Sequence, residues 1–315
     1  MTPTNSIVIP VYRNSGSIPE LLQALAGLHL ALAGDLEVIF VVDGSPDDSY
    51  QKLAGLLPDA PFSSKLLLLS RNFGAFPAIR RGLIEASGSY IGVMAADMQE
   101  PPELMLEFFS ELSSRPLDVA FGQRVGRADP IGGRIASGIF WSAYRRFVQP
   151  DVPAGGVDVF ALTADFRDRL VSMEEANSSL LGLLFWLGGR RTFIPYRRLE
   201  RSHGKSAWTF RKKLTYLMDS VFAFSDLPVR ILIAVGLIGM ITSAALGTVV
   251  VVAKLAGLFD TPGYAGSMLA ILFFGALNMF GLGIIGNYAW RAYENTKQRP
   301  LSIVSTSTAF PGKSA

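Results

Sequence analysis

The chain contains no cysteine and only two histidines, His29 and His203. The first absence excludes disulfides, thiol nucleophiles and thiolate metal sites, and fits a reducing compartment. The second excludes a histidine-rich metal centre. Charge is also scarce: 17% of residues are Asp, Glu, Lys or Arg, against about a quarter in ordinary soluble domains. A net charge of +3 creates no field over the whole molecule that would draw a nucleic acid, and no nucleic-acid-binding motif is present. The start of the chain lacks the basic segment and long apolar stretch of an export signal. Its first apolar run, Ile7 to Val11, is only strand length. The water-facing part is therefore expected to stay in the cytoplasm.

Two apolar runs take the place of the missing charge, Ile231 to Ala253 and Ala265 to Tyr288. Each is about 23 residues long, enough to cross a hydrocarbon core of ~30 Å at ~1.5 Å per residue. Nine Lys/Arg against one Glu lie between Arg190 and Lys213, and Arg291, Lys297 and Arg299 follow the second run. The connection between the runs carries only Lys254 and Asp260. Positive flanks on both sides predict a two-helix transmembrane hairpin with both ends cytoplasmic. The basic cluster either sets topology alone or also suits an anionic lipid head group. Small residues within the runs permit helix association, and so a homo-oligomer. Gly281-Leu282-Gly283-Ile284-Ile285-Gly286 matches the dinucleotide fingerprint letter for letter. It lies inside a spanning run without the strand and turn the fingerprint needs, so it is read as close helix packing.

The first 225 residues alternate strand-like and helix-like segments. Ser6 to Val11, Leu36 to Val42, Lys65 to Leu69, Tyr90 to Ala95 and Leu117 to Gly122 are continuous apolar strands. Ile18 to Leu32, Tyr50 to Leu57, Ala75 to Ser87 and Pro102 to Ser114 are the helices between them. Fully apolar strands alternating with helices predict a doubly wound, mostly parallel α/β sheet. Ile135 to Val148 and Ala207 to Phe224 mix aromatic residues with arginine or lysine, the mark of amphipathic helices on a membrane surface; for the first, an ordinary core-facing helix is equally compatible. Ser302 to Ala315 is rich in Ser and Thr and reads as a disordered tail.

In doubly wound sheets ligands gather at the carboxyl ends of the strands, where Asp43, Arg71, Asp97 and Arg124 stand. Asp97 with Gln99 two residues on offers oxygens to a hard divalent cation, although a strand-end Asp also simply starts turns. Asp43 can accept from a base or ribose, or close an Asx turn through Gly44-Ser45. Arg71 and Arg124 suit a diphosphate or a planar base. Asp158, between apolar neighbours, is expensive to bury without a role; it positions an acceptor or pairs with an arginine.

Together the elements Ile9-Pro10-Val11-Tyr12, Val42-Asp43-Gly44-Ser45, Ser70-Arg71-Asn72-Phe73-Gly74, Asp97-Met98-Gln99-Glu100-Pro101-Pro102-Glu103, Gly122-Gln123-Arg124 and Arg201-Ser202-His203-Gly204-Lys205-Ser206 resemble the family 2 glycosyltransferases of the polyprenyl-phosphate sugar synthase type. The resemblance implies a GT-A fold over residues 1–206, a juxtamembrane helix over 207–230, the hairpin over 231–290 and a cytoplasmic tail over 291–315. It implies inverting transfer from a nucleotide-sugar donor, UDP-linked by preference, to a polyprenyl phosphate such as undecaprenyl or decaprenyl phosphate, at the cytoplasmic face of a bacterial plasma membrane. On that pattern Pro10, Tyr12, Asp43 and Arg71 hold the nucleotide, and Asp97 and Gln99 hold Mg²⁺ or Mn²⁺. Arg124, Arg134, Arg201, Lys205 and Ser206 face the donor diphosphate or acceptor phosphate, and Asp158 orients the acceptor or sugar. Ala95 stands where the family usually has a first aspartate, Val42 where an acidic residue is common, and Arg13 where a Glu often follows the tyrosine. The lost carboxylate raises an alternative, a catalytically inactive membrane scaffold or sugar-nucleotide sensor. A processive polysaccharide synthase is disfavoured because Gln-x-x-Arg-Trp and further spanning helices are missing.

Overall fold

A computed structural model describes residues 3–125, 149–153, 156–199, 210–257 and 264–313, with isolated helical positions between 138 and 146. The central strands are the apolar runs. β1 (Asn5–Val11), β2 (Glu37–Val42), β3 (Ser63–Leu69) and β4 (Tyr90–Val93) form a parallel core in the order β4-β1-β2-β3. Helices α1 (Ile18–Ala31), α2 (Ser49–Leu56), α3 (Ala75–Glu85) and α4 (Glu103–Ser114) connect and follow these strands. Strand side chains alternate between two cores. Ile7, Ile9 and Val11 face α1 and α4, while Val8 joins Ile79 and Leu83 of α3 on the other face. With both faces covered, no strand position can be polar without a partner, which explains the unbroken apolar runs.

The sheet has eight strands, in the order β7-β5-β6-β4-β1-β2-β3-β8. β5 (Val119–Arg124) and β7 (Arg191–Tyr196) pair in parallel, whereas β6 (Phe160–Thr163) runs antiparallel between β4 and β5. β6 is followed by α5 (Ala164–Val171), which Thr163 caps, and α6 (Leu180–Trp186), which Ser179 caps. The sheet is thus mixed, with its parallel part at the centre.

Two sequence expectations need correction. The tail is not disordered over its whole length: Val304–Phe310 is β8, antiparallel to β3. Its serines and threonines read as a solvated tail, but Val304, Thr308 and Phe310 are part-buried on one face while Ser305, Ser307 and Ala309 on the other are exposed, as suits an edge strand with one wet face. Beyond it, Lys313 donates its amide to the Ala60 carbonyl at 3.0 Å and pairs with Asp59. The fifth strand runs to Arg124 rather than ending at Gly122. The segment 135–148 lies mostly outside the described residues, but Tyr144 within it is fully buried.

Three helices complete the described chain: α7 (Phe210–Phe224), α8 (Leu227–Leu255) and α9 (Tyr264–Thr296). α7 packs Tyr216, Leu217, Val221 and Phe224 onto the core beneath α3 and α6. The approach is close, because a Cβ on Gly182 of α6 would lie 2.3 Å from the Phe224 ring. Among the described residues one stretch, Leu227–Ala253, is long and apolar enough to cross a membrane, and none of it is buried in the protein.

Candidate active site

Strand direction assembles the site. The carboxyl ends of β1 to β5 and β7 share one edge of the sheet. Because β6 is antiparallel, Asp158, just before its start, comes to that same edge. The site divides into a loop cluster after β1 to β3 and an ionic cluster after β4, β5 and β7.

In the loop cluster Asp43 is 3% exposed. Its carboxylate accepts from the Phe73 amide at 2.7 Å and the Gly74 amide at 2.9 Å, while Asn72 Nδ2 donates to the Asp43 carbonyl at 3.3 Å. Asp43 therefore fastens the 70–74 loop to the end of β2. The Asx reading had it bonding within its own turn; the structure has it bonding across to the next one. Gly44 permits the crossing: its φ is +54°, and a Cβ there would lie 2.3 Å from the Arg71 backbone carbon. The Arg71 guanidinium stacks 4.0 Å from the Phe73 ring centroid, with its polar edge exposed. The loop after β1 is tied in the same way. The Tyr12 amide donates to Asn14 Oδ1 at 3.0 Å, the Arg13 amide to Ser45 Oγ at 2.8 Å, and the Ser15 amide to Asp47 Oδ2 at 3.1 Å. Burial alone would raise the Asp47 pKa, but hydrogen bonds from Ser45, Ser49 and Ser15 outweigh it and hold the carboxylate low. Pro10 lies within β1 opposite Val41.

The ionic cluster centres on the turn after β4. Asp97 Oδ1 accepts from the Gln99 amide at 3.4 Å, and Met98 between them has φ +55°. Gln99 is gripped by the segment after β7: Leu199 N donates to the Gln99 carbonyl at 2.8 Å, and Arg198 Nη2 donates to Gln99 Oε1 at 2.6 Å. Glu100 is buried at 1% exposure, and its Oε2 has no hydrogen-bond partner among the described residues. Burial first, then the neighbouring charges of Asp158 and Asp97, push its pKa up to about 7; Arg198 and Arg124 oppose the shift. Asp158 forms an ion pair with Arg124. Tyr196 Oη donates to Asp158 Oδ2 at 3.5 Å, and Arg198 Nη1 lies 4.0 Å from the same oxygen. Burial and the adjacent carboxylates hold Tyr196 protonated well above its ordinary range.

The structure thus brings Asp97, Gln99, Arg124 and Asp158 together, and Asp43 with Arg71. Arg134, Arg201, Lys205 and Ser206 lie outside the described residues. Sequence reasoning gave no role to Tyr196 or Arg198. The only signal for Arg198 was its place in the basic run before the first spanning helix. Among the described residues no group of three Asp, Glu or His side chains is gathered as a ready metal cage. The oxygens nevertheless suit a hard divalent cation, with carboxylates at Asp97 and Glu100, an amide oxygen at Gln99, and a buried Glu100 oxygen without a hydrogen-bond partner among the described residues.

Comparison with known proteins agrees with this architecture. The profile of glycosyl transferase family 2 matches residues 6–164. An uncharacterized glycosyltransferase of Synechocystis is 30% identical over 306 residues, 97% of this chain and 96% of that one. A prophage bactoprenol glucosyl transferase homolog of Escherichia coli is 26% identical, covering 95% and 97%. Among solved structures, a mannosyltransferase of Pyrobaculum calidifontis in complex with GDP-Man and Mn²⁺ superposes with a TM-score of 0.50 at 17% identity, covering 92% of this chain and 88% of that one. At that identity the superposition speaks to the GT-A-like fold alone. With residues 6–164 matching the family profile and its full length matching glycosyltransferase relatives, this chain is a glycosyltransferase and belongs to glycosyl transferase family 2.

Proposed function

We propose that the protein transfers a sugar, with inversion, from a nucleoside diphosphate sugar to a polyprenyl phosphate at a membrane surface. A UDP-sugar donor and an undecaprenyl or decaprenyl acceptor fit best, and the product is a polyprenyl-monophosphate sugar for modifying cell-envelope glycans. The observation that carries this reading is the apolar helix α8, long and apolar enough to cross a membrane, which begins a few residues after the core-packed helix α7; on this reading it holds the catalytic domain at a bilayer. The long helix α9 completes a hairpin, giving a multi-pass protein of the bacterial plasma membrane with residues 1–206 on the cytoplasmic side. The full-length similarity to bactoprenol glucosyl transferases supports a lipid phosphate acceptor.

The residues divide the work. Pro10 in β1, with Tyr12, Asp43 and Arg71 on loops fixed by hydrogen bonds to the backbone, holds the nucleotide. Arg124, with Arg134, Arg201, Lys205 and Ser206, faces the phosphates. Asp97 and Gln99, with Glu100 beside them, would hold Mg²⁺ or Mn²⁺, which when bound offsets charge on the departing diphosphate. An oxygen of the acceptor phosphate attacks the anomeric carbon as the bond to the nucleoside diphosphate breaks on the opposite face. A phosphate monoester is largely ionised at neutral pH, so no strong base is required. Asp158, held by Arg124 and Tyr196, orients the acceptor or sugar.

The test is incubation of the full-length protein in detergent with UDP-, GDP- and dTDP-sugars and undecaprenyl phosphate, with Mg²⁺, Mn²⁺ or EDTA, read by mass spectrometry of the lipid product. A lipid-linked sugar from one donor, lost in EDTA, is expected. Absence of lipid product from every donor overturns the reading. Asp97→Ala should lower transfer by about a hundredfold or more; near-normal turnover would remove Asp97 from the cation's ligands.

A further inference from the structure

The Arg198 guanidinium presents each of its three nitrogens to a different oxygen of the ionic cluster. Nη2 donates to Gln99 Oε1 at 2.6 Å, Nε lies 4.0 Å from Glu100 Oε1, and Nη1 lies 4.0 Å from Asp158 Oδ2. Two of these three oxygen carriers, Gln99 and Glu100, belong to the turn assigned above to the divalent cation. Only one contact is a close hydrogen bond; the other two are long, and a third of the side chain is exposed. Such a grip neutralises the acidic pocket without committing the arginine to it. The backbone is secured separately, by Leu199 N on the Gln99 carbonyl at 2.8 Å, so the side chain can leave without unfastening its segment.

A guanidinium and a hard dication cannot both use the Gln99 amide oxygen in this geometry. The dication prefers short, direct oxygen contacts. The guanidinium instead has a planar fork suited to phosphate. We infer that Arg198 is a placeholder cation: in the donor-free enzyme it occupies the oxygen set of Gln99, Glu100 and Asp158, and it gives up that set to the divalent cation as it turns to the donor's diphosphate. This inference rests on the divalent-cation reading of the proposed function and adds a positioning role for a residue that reading leaves out. Its consequence is ordered loading. The cation alone competes with Arg198 and binds weakly, whereas cation and nucleotide together satisfy both the acidic oxygens and the displaced arginine.

The experiment is Mn²⁺ binding to the full-length protein in detergent, followed by electron paramagnetic resonance with and without UDP. Arg198→Gln removes the charge and should tighten Mn²⁺ binding in the absence of UDP by about tenfold, because the competitor is gone. By reciprocity, UDP should raise wild-type Mn²⁺ affinity about tenfold or more and that of Arg198→Gln much less. Arg198→Lys keeps the charge and should stay within about threefold of wild type without UDP. A damaged fold would weaken binding, so tightening is a signature that disruption cannot mimic. Mn²⁺ affinity that is unchanged or lower in Arg198→Gln, with wild-type binding present and lost in Asp97→Asn, overturns the placeholder role and leaves the cation reading standing. Tightening in Arg198→Lys as large as in Arg198→Gln also overturns it. Failure of wild type and variant alike to bind Mn²⁺, even with UDP, overturns both.

Discussion

Glu100 shows how a single buried group can make stability depend on pH. Its carboxyl is enclosed, one oxygen has no partner among the described residues, and its pKa rises from 4.5 to about 7. The folded state therefore binds the proton more tightly than the unfolded chain does. That contribution is fully present below pH 4.5 and is lost as pH rises through about 7. A shift of this size is worth on the order of 3 kcal/mol in total. Glu100→Gln keeps the neutral shape without the ionisable proton. In EDTA, the wild type should lose thermal stability between pH 5 and 8 relative to Glu100→Gln. Parallel melting curves across that range would contradict the burial argument. Gly44 makes a second case: Gly44→Ala meets both a positive φ and the Arg71 backbone. It should destabilise the domain by roughly 2 kcal/mol or more and weaken nucleotide binding, as read by calorimetry with UDP. Unchanged stability would mean that the two loops do not meet this closely.

At the scale of elements, β8 has the most unexpected role. It shields β3, which would otherwise be an open apolar edge. It also reaches the site, because the Ile303 carbonyl just before it accepts from the Ser70 amide at 2.9 Å, at the start of the loop that Asp43 secures. Deleting residues 302–315 should cost a few kcal/mol, lower Tm by about 5 °C or more, promote aggregation and loosen UDP binding. A truncated protein with wild-type Tm and UDP affinity would make β8 dispensable. The contrast with the central strands explains what was legible beforehand. Ile7 to Val11 and Glu37 to Val42 are buried on both faces, so their composition declares them. β8 pairs on one side and keeps Ser305 and Ser307 exposed, so its sequence looks like a tail until its partner is known. β6 is only four residues long, so the apolar neighbours of Asp158 hint at a strand but give neither its bounds nor its antiparallel pairing. The site divides in the same way. Asp43, Arg71, Asp97 and Arg124 were visible because each ends or follows an apolar strand. Arg198 meets Gln99 from 99 residues away, a distance that no local spacing reveals.

At the scale of the whole molecule, the catalytic domain is joined to the apolar helices by a polar fastening rather than by a flexible link alone. Arg291 near the end of α9 pairs with Asp219 of α7 at 2.6 Å and donates to the Asn177 carbonyl before α6 at 3.0 Å. Asn295 Oδ1 accepts from the Ala176 amide at 3.0 Å, and Ser179 hydrogen-bonds Tyr216 of α7 at 3.0 Å. Arg291 is largely sheltered, so this pair is worth more than an exposed one. On the proposed membrane reading, it fixes the catalytic domain against the apolar helices. Arg291→Ala should leave UDP affinity within about twofold while lowering turnover with a lipid acceptor about tenfold. Loss of both in proportion would mean that the change spreads into the nucleotide loops instead. The proposed acceptor is a phosphate carried by a membrane lipid, met at a site held against the bilayer. The most direct measurement is the initial rate of sugar transfer by the full-length protein in one set of detergent micelles, with undecaprenyl phosphate compared against a short, water-soluble alkyl phosphate at equal concentration. A preference of about a hundredfold or more for the lipid phosphate is predicted, and equal or faster transfer to the soluble phosphate would contradict it.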